Sequence, residues 1–140
     1  MLPLRSNEQS YVSIGIRIIK VEYPTIITGL FWKNQNKEIL LQIQADNYDY
    51  LPIKGYWINE DGVPLRQGQQ IPTGLGFQVS SDPYGENRNW FCYPGWREYH
   101  DHTSHQQISW DFFRYNKTHR LPGIIVQLFT DLNRSGVSMA

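Results

Sequence analysis

Three runs near the start of this 140-residue chain set its fold class: "YVSIGIRIIKVE" (11–22), "TIITGLFW" (25–32) and "EILLQIQA" (38–45). In the first, Val12, Ile14, Ile16 and Ile18 recur at every second position, the period at which side chains alternate between the two faces of a strand. The other two are β-branched or apolar and are joined by the polar "KNQNK", a connection suited to a hairpin. Strands joined by such short links pair antiparallel, so this region predicts a meander. The next segment, "NYDYLPIKGYWINEDGVPL", breaks at Pro52, resumes as a short strand around Tyr56 to Ile58, and turns at Asp61-Gly62. Beyond the Gly- and Gln-rich loop 66–74, "LGFQVSS" (75–81) is expected to close a four-strand antiparallel meander over 11–81.

Towards the C-terminus the period changes. In "LPGIIVQLFTDLN" (121–133), Ile124, Ile125, Leu128, Phe129 and Leu132 share one face of a helix, with Pro122 in its first turn and Gly136 beyond its end. Strands followed by a helix give an α+β fold, and the length suits one domain over 1–140. Between Asp82 and about Ile108 no period is visible. A loop of that length in a compact domain is usually a site or disordered. The aromatic content, with five Trp, nine Tyr and six Phe, argues against disorder.

Thirteen basic and thirteen acidic residues cancel, so nothing draws the chain as a whole to phosphate backbones or anionic lipid. Nucleic acid and membrane are therefore not expected partners. The start "MLPLRSNEQS" lacks the apolar stretch of a secretory signal, and the single cysteine has no disulfide partner within the chain. Both point to a cytoplasmic setting.

That cysteine lies in "WFCYPGWREYHDHTSHQQISW" (90–110), with Glu98, His100, His102 and His105 close behind. Thiolate and imidazole are the preferred ligands of zinc, which needs three or four of them converging at about 2.0–2.3 Å. His100 and His102 share a side if the segment is extended, whereas His102 and His105 share a face if it is helical. Cys92 and Glu98 would complete a mixed set, or Glu98 would act as a base beside a bound water. Alternatively, Cys92 is a nucleophile whose thiolate a neighbouring imidazolium favours. A third reading makes the histidines solvated loop residues and Cys92 a small buried group. Spacing leaves all three open. Trp90, Trp96 and Trp110 are expected to pack in the core, since no basic patch accompanies them as in a base-stacking platform.

Cys92, Glu98 and the pair His100/His102 or His102/His105 resemble the Cys-Glu-His-His signature of a small bacterial family. That family is described as a predicted metal-binding domain found near ubiquitin-activating-like and JAB-type peptidase genes. The rest of the chain is similar in outline to the ubiquitin-conjugating (E2-like, UBC-like) fold: a meander, a long flap carrying a cysteine, then a helix. Pro83, nine residues before Cys92, stands where the proline of the E2 His-Pro-Asn motif would sit. Trp110 and "RLPGIIVQLFTDLN" look like the E2 tryptophan and the helix that follows it. The triplet itself reads Asp82-Pro83-Tyr84, without the asparagine, and the segment from Cys92 to Trp110 is longer than in a typical E2.

The resemblance implies a divergent E2-like carrier that takes a ubiquitin-like protein from an E1-like activating enzyme as a thioester on Cys92. His100 or His102 would serve as the cation near the thiolate and Asn89 or Asn87 as an amide donor to the oxyanion. Its alternative is a zinc-binding accessory protein of the same kind of pathway, with ligands drawn from Cys92, Glu98, His100, His102 and His105.

Overall fold

The computed structural model describes residues 12–48, 50–66, 68–78, 82–86, 90–102, 110–113 and 121–139. The fold is α+β, with a four-strand antiparallel sheet and a C-terminal helix. Strands β1 (Ile16–Glu22), β2 (Thr25–Trp32), β3 (Lys37–Gln44) and β4 (Lys54–Ile58) pair in chain order. The register runs Ile18 to Thr28 to Leu41 to Trp57 across the sheet.

Alternation puts Ile16, Ile18, Ile26, Leu30, Trp32, Ile39, Leu41, Ile43 and Trp57 on one buried face. The opposite face carries Arg17, Glu38, Gln42 and Lys54, and there the Arg17 guanidinium donates to both carboxylate oxygens of Glu38, at 3.1 and 2.6 Å. Helix α2 (Leu121–Leu132) covers the buried face, and all five residues of the predicted stripe, Ile124, Ile125, Leu128, Phe129 and Leu132, are buried. Its end is tied to the sheet by Asn133. The Asn133 Oδ1 accepts the Lys33 N–H at 2.8 Å, and its Nδ2 donates to the Phe31 carbonyl at 3.0 Å.

The expected first strand starts too early. Residues 12–14 form a helical turn, Gly15 turns the chain at a φ of +109°, and Val12 and Ile14 stay exposed. That φ suits glycine, and the alternation does not carry through it. A bulge between Ile18 and Lys20 then shifts the register and turns Ile19 outward.

The fourth strand of the sheet is 54–58, and 75–81 does not join it. Instead β5 (Pro72–Thr73) pairs with a final strand over Ser138–Met139, and β6 (Phe77–Gln78) pairs with β7 (Trp90–Phe91). Residues 79–81 lie outside the described residues. Aromatic packing decides this arrangement. Phe77 and Phe91 meet edge to face with centroids 6.1 Å apart, and Trp57 meets Phe91 edge to face at 5.3 Å. The β6–β7 pair is thus placed by contact with β4. Among the described residues, no helix is long and apolar enough to cross a membrane.

Candidate functional site

Within the long segment expected to be a loop, the described residues 90–102 have structure of their own. They run from β7 through a turn at Pro94-Gly95 into a short helix, α1 (Arg97–Asp101). Trp90, Trp96 and Trp110 are all buried, as their packing role required. Phe91 and Trp96 lie with ring centroids 4.6 Å apart and planes tilted by 38°, so the start of α1 is packed against β7.

Cys92 leaves β7 with its backbone N–H donated to the Gly76 carbonyl at 2.8 Å, and its side chain is half-buried. Burial pushes the Cys92 thiol above its ordinary pKa. Tyr99, on α1, is also pushed up, first by its own burial and then by the negative charge of the Cys92 thiolate. These two side chains are therefore within electrostatic reach of each other. Sequence reasoning did not single out Tyr99, because nothing local relates it to Cys92.

The histidines are engaged elsewhere. His100 Nε2 accepts the Gly95 N–H at 3.1 Å, so its ring takes the tautomer with the proton on Nδ1, and it lies among the rings of Tyr99, Trp110 and Phe113. His102 stacks on Trp90, with centroids 4.8 Å apart and planes 14° apart. Glu98 is fully buried, and its Oε1 accepts the Gly55 N–H at 2.8 Å. His105, Asn87 and Asn89 lie outside the described residues.

Among the described residues, no three His, Cys, Asp or Glu side chains are grouped so as to hold a metal ion. Of the expected ligands, Glu98 turns its Oε1 to the sheet and His100 turns its Nε2 to a backbone amide.

The turn at 82–86 packs next to α1. The Asp82 carboxylate accepts the N–H groups of Tyr84 and Glu86, each at 3.0 Å, which closes the turn. Tyr84 donates its hydroxyl to Asp101 at 2.7 Å. Lys54 from β4 lies 4.1 Å from the Tyr84 ring centroid and 3.8 Å from a Glu86 oxygen. Burial and the Asp101 hydrogen bond push the Tyr84 phenol well above its ordinary pKa. On the other side of the flap, the Tyr93 hydroxyl accepts the Gly76 N–H at 3.1 Å. Its phenol is raised by burial and by a hydrogen bond to Asp131 of α2.

A raised thiol pKa has a direct readout. Alkylation of Cys92 by iodoacetamide at neutral pH should be slower than that of a cysteine in an unstructured peptide. The midpoint of its pH profile should lie above the free-thiol value of about 8.5. A midpoint at or below that value would show that the thiol is not held as described.

No protein-family model matches the chain, and no curated protein matches it significantly.

Proposed function

We propose that the chain is a divergent E2-like carrier of a UBC-like fold, which accepts a ubiquitin-like protein as a thioester on Cys92 from an E1-like activating enzyme. The observation that supports this reading is chain order. A four-strand antiparallel meander is followed by the sole cysteine, half-buried directly after β7, and then by a helix packed on the sheet. In the transfer, the Cys92 sulfur attacks the acyl carbon of the incoming thioester, and the activating enzyme's thiolate leaves. The raised pKa has two consequences for such a carrier. Loading is slow at neutral pH because little thiolate is present. The loaded state is long-lived, since a thiol of higher pKa is a poorer leaving group. On this reading Tyr84 stands where the E2 motif has asparagine, and its hydroxyl is committed as a hydrogen-bond donor to Asp101, so onward transfer to lysine should be slow.

The test is incubation with an active E1-like enzyme, ATP and its ubiquitin-like protein. The expected result is a mobility shift that thiol reductant collapses, that is absent in Cys92→Ala, and that resists reductant in Cys92→Ser as an oxyester. A shift that persists in Cys92→Ala, or never appears with a partner of demonstrated activity, would overturn the carrier reading. Elemental analysis of the protein purified without chelator addresses the alternative. About one zinc per chain, lost in Cys92→Ala, would favour the zinc-binding accessory protein.

A further inference from the structure

We infer that Glu98 is a positioning residue: its buried carboxylate replaces a neighbouring strand at the edge of β4 and thereby fixes where Cys92 sits. This deepens the carrier reading, on which its consequence for acyl transfer rests.

Strand β4 is bonded to β3 along one side only, which leaves its other edge with backbone groups to satisfy. That edge is closed piece by piece. The Ile53 carbonyl accepts the Arg97 N–H at 2.6 Å, and the Trp57 carbonyl accepts the Leu65 N–H at 2.8 Å. Between them the Gly55 N–H donates to Glu98 Oε1 at 2.8 Å. A side-chain oxygen takes the place of a strand's carbonyl there.

The close approach that permits this depends on Gly55. A Cβ at that position would collide with the Trp96 ring and lie 2.8 Å from Phe91. With no side chain in the way, the start of α1 rests on the β4 backbone, and the carboxylate one helical step on reaches the amide. Arg97 adds a second tie, donating from Nε to the Pro52 carbonyl at 3.1 Å. Cys92 thus lies on a short bridge anchored at one end by its own N–H on Gly76 and at the other by Glu98 on Gly55. The role needs an acceptor oxygen at this point, which an amide supplies as well as a carboxylate does.

The experiment compares Glu98→Gln and Glu98→Ala with the unaltered chain, reading Gly55 amide hydrogen exchange by NMR and the rate of Cys92 alkylation by iodoacetamide. Glu98→Gln should match the parent in both, because its side-chain oxygen still accepts the Gly55 N–H. Glu98→Ala should speed both by on the order of tenfold, the worth of one buried hydrogen bond. If Glu98→Ala does not fold, Glu98→Gln still decides. Parent-like exchange and alkylation support the positioning role. A Gln variant that frees Cys92 or loses the Gly55 protection would overturn it, because the negative charge would then be what matters. An Ala variant unchanged in both readouts would overturn it too. Neither readout needs an E1-like partner. Failure of the thioester assay with this pattern intact would sink the carrier reading alone.

Discussion

Gly55→Val is expected to destabilise the protein by more than about 3 kcal/mol. Two rings, those of Trp96 and Phe91, lie where the new side chain must go, and Trp96, Phe91 and the Trp57 that packs on Phe91 are themselves buried. Relief by moving Trp96 is not local. The same movement pulls α1 off β4 and breaks the Glu98 and Arg97 bonds to its edge. Denaturant unfolding measures the effect. Near-parental stability would mean that the flap is not clamped on β4 at this glycine. A valine at Gly62, in an exposed turn with nothing near the added Cβ, is the control: it carries only the local strain of a φ of +80°.

The second large effect is a loss of stability in alkali. Burial first, helped by hydrogen bonds to carboxylates, raises the phenols of Tyr84 and Tyr93, and burial raises the Cys92 thiol. In each case the folded pKa exceeds the unfolded one. The stabilisation is therefore fully present below the unfolded value and is lost as pH rises from it towards the folded value. For the thiol the decline begins at about pH 8.5, and for the phenols at about pH 10. A buried phenol such as Tyr93 contributes a slope approaching about 1.4 kcal/mol per pH unit in that range. Tyr84 is more open to solvent and contributes less. Urea unfolding followed across this range should show the decline steepening above about pH 10, and Tyr93→Phe should flatten it. A stability that stays level to about pH 11 would refute the burial of these groups.

The contrast between what the sequence discloses and what it hides follows from where each element gets its stability. β2, β3 and α2 carry their periods in their own residues, and Ile26, Ile43 and Leu128 are buried as those periods require. β6, β7 and α1 do not. Phe77 and Phe91 form strands because they pack on each other and on Trp57, which is a relation among distant segments. Helix α1 is only five residues long and begins just after Trp96, which offers no side-chain cap to announce it. The candidate site is legible in the same partial way. Residue types marked out Cys92, Glu98 and His100. The partner of Glu98, Gly55, lies 43 positions away and reveals itself only in three dimensions.

The closed edge of β4 also bears on solubility. A bare strand edge is a template on which another chain can add, and here the Gly55 amide and the Ile53 carbonyl are covered by the segment that carries Cys92. Any event that lifts this segment to expose the thiol bares the edge along with it. Reagents or partners that open the flap should therefore make the protein prone to self-association for as long as they hold it open.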